Sequence, residues 1–336
     1  MHIGLTYTLK PDTPIPAGAP DDLHEEFDSP VTVEAIAEAL QSFGHTTTLM
    51  GDGPELLKQL IANPPDFLFN IAEGTGISRN RESRVPAVAE MLGIPCTGSD
   101  ALTLGLALDK GMTRRMLTDT GVSLPKGVVL APQLPYDGDH AEFAAILEAN
   151  DLTLPIIAKP VCEGSSKGIR NRCLIQKIED FGPTVVELWT NYRQPVLVEE
   201  FITGEEVTIG IVGNDPPEVL GAMRVVPNTP SDTFVYSLEV KRNWEELVTY
   251  ECPPKLPGAV LRALEESALA VYESLGCRDI ARLDYRIRDG VPYFIEVNPL
   301  PGLNPITSDL ILICKAMNVT HTELIGRILD AAVKRQ

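Results

Sequence analysis

The clearest chemistry in the sequence lies near its C-terminus, in two alternating segments that flank Arg288-Asp289-Gly290, an Asp-Gly sequence typical of a β-hairpin turn. Alternation places Arg282 and Asp284 on one face of the first strand. It places Glu296 and Asn298 on one face of the second. Carboxylate and amide oxygens are hard ligands that suit Mg²⁺. If the two faces coincide, these residues form a metal site beside a guanidinium; the alternative is a solvated hairpin face.

A second segment has the composition of a phosphate-binding loop. The apolar run Ile156 to Lys159 predicts a strand that ends in a lysine, and small residues follow in Glu163-Gly164-Ser165-Ser166-Lys167-Gly168. Free backbone N–H groups and hydroxyls in such a loop can hold phosphate oxygens. The Walker A spacing is missing, so the loop is not a P-loop. The alternative is an ordinary surface turn.

The same loop also contains the pattern G-x-S-x-G at Gly164, Ser166 and Gly168. That pattern is found at the nucleophile of α/β-hydrolases. A serine hydrolase using Ser166 would need an acid and a histidine downstream, and His321 is the only later histidine. Phosphate binding therefore explains the loop better.

A third segment, Val196 to Ile202, is an apolar strand that ends in Glu199 and Glu200 and leads through a tight turn to Glu206. Its backbone and carboxylates could meet an adenine and a ribose. Taken alone, the segment fits a plain hairpin edge equally well.

The elements that must position these residues alternate between strands and helices. In the first part, strands at Ile3 to Tyr7, Thr46 to Met50 and Phe67 to Ile71 are separated by helices, of which the first is capped by Ser29. This alternation predicts a small parallel α/β domain at 1–101. One helix from Leu102 to Leu117 opens a second α/β unit at 102–195. The third unit, 196–336, begins with the strand at Val196.

Composition excludes several classes of protein. The chain has 336 residues with 28 Lys and Arg against 47 Asp and Glu, a formal charge of −19, which repels nucleic acid and anionic lipid. No apolar run approaches membrane-spanning length, and the first residues do not resemble a signal peptide, so a cytoplasmic protein is expected. The six cysteines form no C-x-x-C pair, which indicates buried thiols rather than a zinc or redox site.

Several motifs, read in order along nearly the whole chain, resemble the ATP-grasp superfamily and most closely the D-alanine–D-alanine ligase family. They are Leu108-Asp109-Lys110, Ala158-Lys159-Pro160, Glu163-Gly164-Ser165-Ser166, Glu199 to Ile202 with Glu206, Lys241, Ala281-Arg282-Leu283-Asp284 and Glu296-Val297-Asn298-Pro299. The resemblance implies an α/β (α+β) ATP-grasp fold: an N-terminal Rossmann-like domain (1–101), a central lid domain (102–195) and a C-terminal antiparallel-sheet domain (196–336).

The resemblance also implies a nucleotide and metal site. ATP would be bound by Lys110, Lys159, Glu163, Ser165, Ser166, Glu199, Glu200, Phe201, Ile202, Glu206 and Lys241. Two Mg²⁺ ions, or Mn²⁺ in their place, would be held by Asp284, Glu296 and Asn298. The catalytic residues would be Arg282, Lys241 and Ser165, and a homodimer is implied.

The implied reaction phosphorylates the carboxylate of one substrate with ATP, after which an amine attacks the acyl phosphate. No residue has to act as a nucleophile, because the protein supplies position, metal and charge stabilisation. D-Alanine is the leading single substrate, and the alternative is another amino-acid pair or an amino acid with another small acid. A further alternative is an inactive nucleotide-binding protein.

The substrate side departs from the family pattern. Lys241-Arg242 stands where the family has Lys-Tyr, and Asn70 to Gly74 stands where it has His-Gly. The first loop offers Glu25, Glu26, Asp28 and Ser29 in place of the family's acidic residue and serine. Substrate contacts are expected from Glu73, Arg242, Arg282, Gly302 and Thr307. We hypothesise that Glu73 meets an ammonium while one or more of Arg79, Arg81, Arg84, Arg224 and Arg242 clamp a carboxylate; the alternative is solvated loop charges.

Overall fold

The computed structural model describes residues 1–133 and 140–336, and in these ranges the chain forms three β-sheets. The strands are β1 (His2–Tyr7), β2 (Thr46–Leu49), β3 (Phe67–Ile71), β4 (Gly127–Leu130), β5 (Ile156–Pro160), β6 (Leu174–Ile175), β7 (Val196–Glu200), β8 (Glu205–Val212), β9 (Glu218–Pro227), β10 (Val248–Glu251), β11 (Ile280–Arg288) and β12 (Val291–Asn298).

Helices pack against all three sheets. They are α1 (Pro30–Ser42), α2 (Gly53–Ala62), α3 (Arg84–Leu92), α4 (Ala101–Leu108), α5 (Lys110–Leu117), α6 (His140–Ala149), α7 (Ile178–Tyr192), α8 (Leu238–Arg242), α9 (Trp244–Leu247), α10 (Gly258–Ser274), α11 (Asp309–Ala316) and α12 (His321–Lys334). Within 1–133 and 140–336, none of them has the length and apolarity needed to cross a bilayer.

The first sheet is parallel, in the order β2-β1-β3. The predicted cap of α1 is confirmed, because Ser29 Oγ accepts a hydrogen bond from the Thr32 backbone N–H at 3.4 Å. Ile36 and Leu40 of α1 and Ile328 of α12 pack into one buried core with β1 and β3. The carboxyl ends of the strands therefore lead into long loops, where parallel sheets bind ligands.

The predicted single helix from Leu102 to Leu117 is wrong, because the chain breaks at Asp109 into α4 and α5. Asp109 leaves the helical conformation, with φ −88° and ψ 94°, and its carboxylate accepts a hydrogen bond from Met112 N at 3.0 Å. An aspartate in this role starts a new helix. Lys110 thereby becomes the first residue of α5, and its buried side chain reaches a cavity.

The second sheet is antiparallel, in the order β4-β7-β5-β6. β7 falls within the predicted third unit (196–336), but it pairs in this second sheet with β4 and β5. One face of this second sheet is covered by α6 and α7. These helices meet through Phe143 and Phe181, whose ring centroids are 4.7 Å apart. The predicted adenine segment thus belongs to the same sheet as the predicted phosphate lysine, Lys159.

The third sheet is antiparallel, in the order β10-β9-β8-β11-β12. The predicted hairpin is confirmed: Asp289 and Gly290 form a two-residue turn with φ of 53° and 79°, and Arg288 pairs with Val291. On α10, Leu264, Ala268 and Val271 lie along one side of the helix and are buried against the sheet. With one face covered by α10, the opposite face of β11 and β12 is free to form a site.

Burial of the cysteines follows the prediction in part. Cys162, Cys173, Cys277 and Cys314 are buried free thiols, and Cys96 and Cys252 are half-buried. Burial raises the pKa of Cys162 to about 12. These thiols are therefore protonated and inert at neutral pH.

Candidate active site

The polar faces of β11 and β12 coincide, as the alternation predicts. In the antiparallel register Arg282 lies opposite Asn298, and Asp284 lies opposite Glu296. β8 adds Thr208, which lies opposite Asp284 on the other side. Three adjacent strands thus bring one guanidinium, two carboxylates and an amide to one surface.

Asp284 is the centre of this group. Arg282 Nη2 lies 2.9 Å from Asp284 Oδ2, and Thr208 Oγ1 donates to Asp284 Oδ1 at 2.8 Å. Asn298 donates through Nδ2 to Asp284 Oδ2 at 3.3 Å. Because the amide nitrogen makes this hydrogen bond, the amide oxygen is left to coordinate a cation.

Glu296 is held in its charged form. Lys110 Nζ lies 3.3 Å from Glu296 Oε2, and Arg282 Nη2 lies 4.0 Å from Oε1. Burial would raise the pKa of Glu296, but Lys110 and Arg282 lower it to about 2. An ionised carboxylate, a second carboxylate and an amide oxygen fit a hard divalent cation whose remaining ligands are waters and phosphate oxygens.

Two cavities meet at this surface. The Phe201 cavity contains about 760 Å³ of empty space, part of which is open to solvent. Ten of the predicted site residues line it: Lys159, Ser166, Glu199, Glu200, Phe201, Ile202, Glu206, Lys241, Asp284 and Glu296. The predicted adenine, ribose and phosphate residues therefore lie together in one place.

The Glu73 cavity, of about 770 Å³, lies on the other side. The predicted residues that line it are Glu73, Lys110, Glu163, Ser165, Arg282, Glu296, Asn298 and Gly302. Glu296 is the one residue that the described linings of the two cavities share. A group that spans the cavities must pass this carboxylate.

The loop at Gly164 helps to separate the cavities. Ser165 lines the Glu73 cavity, whereas Ser166 lines the Phe201 cavity. Both serines have left-handed backbone conformations, with φ of 49° and 59°. Such conformations are uncommon for residues other than glycine and cluster at functional loops.

Arg286, which is absent from the predicted site residues, lines the Phe201 cavity. The Arg286 guanidinium lies 4.7 Å from the Phe201 ring centroid, and Nη1 lies 2.6 Å from Glu206 Oε2. Burial raises the pKa of Glu206, and the nearby charge of Arg286 only partly offsets this rise. Arg286 is two residues beyond Asp284 on the same strand, so the same alternation could have identified it.

The predicted phosphate lysines differ in their partners. Lys159 Nζ is buried 2.5 Å from Glu199 Oε2, and Arg114 pairs with the same carboxylate. Lys241 lies 5.0 Å from the Tyr236 ring centroid and has no ion-pair partner within 4 Å among the residues described. Lys241 is therefore the cation in this cavity best able to meet an added anion.

Glu163, which lines the Glu73 cavity, and Arg81 belong to a buried ionic cluster. Arg81 Nη2 lies 2.9 Å from Glu26 Oε1 and 3.4 Å from Glu163 Oε2. Lys167 Nζ lies 3.0 Å from Glu26 and 2.6 Å from Glu163. Only the Glu163 backbone carbonyl is directed to a site lysine, accepting from Lys110 Nζ at 2.5 Å.

None of the five arginines considered for a carboxylate clamp lines the Glu73 cavity. Arg81 is 1% exposed, and its Nη atoms are engaged with the Cys162 carbonyl and with the ionic cluster. Arg242 lies outside, paired with Asp21 at 2.7 Å and Glu25 at 2.8 Å. Arg79, Arg84 and Arg224 pair with Asp109, the Thr75 carbonyl and Glu251 respectively.

Thr307 is likewise not part of either cavity. It is exposed, and its backbone N–H donates to Asn304 Oδ1 at 3.1 Å. Its neighbours in the Pro301 to Leu303 segment do line the Glu73 cavity. The sequence therefore located the loop but not the residue.

Three carboxyl groups in the Glu73 cavity have no ion pair or side-chain hydrogen bond within the described part of the chain: Asp28, Glu73 and Glu82. Burial raises the pKa of Asp28 to about 7. Burial, with repulsion by Glu26, raises that of Glu82 to about 7. Burial and repulsion by Glu82 raise that of Glu73 well above its usual range. Glu82 carried no signal in the sequence, because nothing there shows which loop carboxylate turns inward.

The geometry does not support a serine hydrolase. Ser166 Oγ donates to the Tyr236 carbonyl at 3.5 Å. His321 Nε2 donates to the Leu303 carbonyl at 3.0 Å. No histidine is hydrogen-bonded to Ser166 in the described ranges, so the nucleophile and base of such an enzyme are not paired.

Comparison with known proteins gives a consistent result. A family model described as "D-ala D-ala ligase C-terminus" matches residues 116–330. A D-alanine–D-alanine ligase of Desulforamulus reducens is 30% identical over 303 residues, covering 90% of this chain and 93% of the relative. Both matches include the hairpin of β11 and β12.

Solved structures show the fold. A D-alanine–D-alanine ligase from Bacillus anthracis complexed with ATP superposes with a TM-score of 0.73 at 21% identity, covering 100% of this chain and 98% of that one. The VanG D-Ala:D-Ser ligase from Enterococcus faecalis gives 0.71 at 19% identity, covering 98% and 99%. This likeness confirms the predicted ATP-grasp fold.

Proposed function

Because the chain belongs to the D-alanine–D-alanine ligase family and is an ATP-dependent ligase, we propose that it joins the carboxylate of one amino acid to the amine of another. Members of the family use ATP and a divalent metal. In this chain the Phe201 cavity would hold ATP, and the Glu73 cavity would hold the amino acids. The observation that carries the proposal is the convergence of Arg282, Asp284, Glu296 and Asn298 where the two cavities meet.

The nucleotide would be held along the Phe201 cavity. Phe201 and Ile202 would contact adenine, and Glu206 would accept the ribose hydroxyls. Lys159 and Lys110 would hold the α- and β-phosphates, and Lys241 the γ-phosphate. Ser165 and Ser166 would close the loop over the phosphates through backbone N–H groups and hydroxyls. Lys241 and Ser165 are thus the proposed catalytic residues beside Arg282.

Asp284, Glu296 and Asn298 would bind two Mg²⁺ ions, with Mn²⁺ as a substitute. A metal held by these residues would neutralise negative charge on the phosphates and on the substrate carboxylate. Arg282 is placed to stabilise the negative charge that develops on the substrate oxygen when the amine attacks. Gly302 is proposed to face the substrate carboxylate.

D-Alanine is the first candidate for both substrates, because the relatives are named for it. A second candidate, the joining of a different pair, is favoured by the unpaired carboxyl groups of the Glu73 cavity. We further propose a homodimer that works in the cytoplasm, where ATP is available; light scattering tests the first part.

The proposal is tested by measuring ADP release with ATP and Mg²⁺ across single amino acids and pairs, with mass spectrometry of the products. We expect ADP and an amide of the two amino acids in equal amounts. ADP release without any condensed product, for every pair, would reject ligation.

A further inference from the structure

We infer that at least one of the amino acids that this ligase joins carries a second cationic group, which is bound by Asp28, Glu73 and Glu82 in the Glu73 cavity. The inference rests on the proposed function, since it takes this cavity as the amino-acid site. It favours the second of the two substrate candidates, because D-alanine has no cation besides its α-ammonium.

The first observation is that Glu82 is 7% exposed, lines the cavity and has no hydrogen-bond or ion-pair partner among the residues described. A buried carboxyl group without a partner is costly to the fold. Its retention is explained if a ligand supplies the partner.

The second observation is that the nearby cations are already engaged. Arg81 pairs with Glu26 and Glu163, and Lys110 pairs with Glu296. Both cations influence Glu82 only from beyond 4 Å. The protein itself therefore places no cation within 4 Å of these three carboxyl groups among the residues described.

A metal ion does not explain the group. No three His, Cys, Asp or Glu side chains in 1–133 and 140–336 are grouped so that they could hold a metal. The oxygen ligands that fit a divalent cation are those of β11 and β12. An organic cation, whose N–H groups donate hydrogen bonds in several directions, does not need the compact ligand set of a metal.

Charge balance decides how many cations the substrates bring. In a pair of simple amino acids each molecule brings one α-ammonium, and the acceptor must lose its extra proton before its amine can attack. After that step one ammonium would face three carboxyl groups, which their raised pKa values leave partly protonated near neutral pH. A second ammonium or guanidinium reduces the excess, and its approach would lower the raised pKa values of these carboxyls and keep them ionised.

The test compares ornithine with norleucine, which has the same side-chain length but a methyl in place of the terminal ammonium. Binding of each enantiomer is measured by calorimetry with Mg²⁺ and a non-hydrolysable ATP analogue. We expect one ornithine enantiomer to bind about 10- to 100-fold more tightly than the matching norleucine, as a charge-assisted hydrogen bond provides. Ornithine should also give a condensed product in the ADP assay.

Two variants locate the effect. Glu82→Gln and Glu73→Gln should each lose most of the preference for ornithine while still binding the ATP analogue. Glu266→Gln, a change of the same kind at an exposed residue of α10, should keep it. If one of the first two variants does not fold, the other still gives the answer.

The outcomes separate the inference from the proposed function. Equal affinity for ornithine and norleucine, or binding of neither, overturns the inference, and amide formation with D-alanine would then leave the ligase proposal standing. A preference for ornithine that depends on Glu82 or Glu73, together with an amide that contains ornithine, supports both; the same preference with no amide from any pair shows a cation site but overturns the inference that this cation belongs to a ligated substrate.

Discussion

At the scale of single residues, Arg282 has two contacts with different consequences. It holds Asp284 through two hydrogen bonds, and it lines the Glu73 cavity. A lysine could neutralise Asp284 but could not make the same forked contact. Arg282 is therefore both an organiser of the metal ligands and a candidate for stabilising the substrate oxygen.

We expect Arg282→Ala to reduce kcat roughly 10²- to 10³-fold, as does loss of one oxyanion-stabilising donor. ATP affinity should change far less, since Arg282 does not line the Phe201 cavity. Single-turnover ADP formation, with a separate measurement of nucleotide binding, checks both parts. Unchanged turnover would contradict the role assigned to the guanidinium.

Asp28 predicts a pH dependence of stability. Burial raises its pKa to about 7, above the value in the unfolded chain, so the folded state retains a proton that the unfolded state loses. The stability from this group is present at low pH and lost as pH rises through about 7. Thermal unfolding at pH 5 and pH 8 should therefore show a larger loss in the wild type than in Asp28→Asn. An equal loss would indicate that the carboxyl is not buried as described.

Individual site residues were predictable to the extent that strand alternation fixes a face. Arg282, Asp284, Glu296 and Asn298 meet as expected, because a strand allows only two directions for its side chains. Glu82 and the ionic cluster of Arg81 were not predictable, because loops have no such period. Whether a loop charge is buried depends on tertiary packing that a single sequence does not display.

At the scale of elements, the turn between β7 and β8 connects two sheets at the Phe201 cavity. Gly204 has φ +106°, and a Cβ there would lie 2.0 Å from the Ile287 carbonyl oxygen. Neither the backbone angle nor the close approach of β11 suits another residue. The turn thus fixes the second sheet against the third.

We expect Gly204→Ala to destabilise the protein and to weaken ATP binding, because Phe201 and Ile202 precede the turn. Gly18→Ala is the matched control, since Gly18 has φ +82° but a Cβ added there would meet no atom within 4 Å. Both variants carry backbone strain of roughly 1–2 kcal/mol. Only Gly204→Ala adds the clash with the Ile287 carbonyl oxygen. A similar fall in melting temperature for both variants would therefore argue against a role for this clash.

Most elements followed from local signals such as the Ser29 cap and the Asp289-Gly290 turn. The break at Asp109 did not, because the apolar pattern continues across it and the competing signal is one capping side chain. The sheet of β7 was also missed, since strand partners depend on contacts distant in sequence. Local rules identify elements more readily than their neighbours.

At the scale of the whole molecule, a buried ionic cluster joins segments far apart in sequence. Glu26 and Arg81 come from loops near the first sheet, whereas Glu163 and Lys167 come from the loop after β5. Tyr192 reinforces this junction by donating to Asp22 at 2.8 Å. The position of the phosphate loop therefore depends on the first sheet.

We expect Arg81→Met to cost roughly 3–5 kcal/mol of stability, because it leaves the buried carboxylates of Glu26 and Glu163 with Lys167 as their remaining cation among the residues described. Arg262→Met on the exposed side of α10 is the control and should have little effect. Urea unfolding at low and high salt checks the prediction, and the difference should persist in salt, since buried charges are poorly screened. If the difference in free energy of unfolding between the wild type and Arg81→Met vanished at high salt, the cluster would lie at the surface.

The two cavities share Glu296 alone among the described residues that line them. Mutations at Asp28, Glu73 or Glu82 can therefore accumulate without touching a side chain of the Phe201 cavity. New substrate preferences are accessible to such a protein through short evolutionary paths that keep ATP consumption intact at each step. For protein engineering, a combinatorial library limited to these three positions would explore substrate choice at little risk to the nucleotide chemistry.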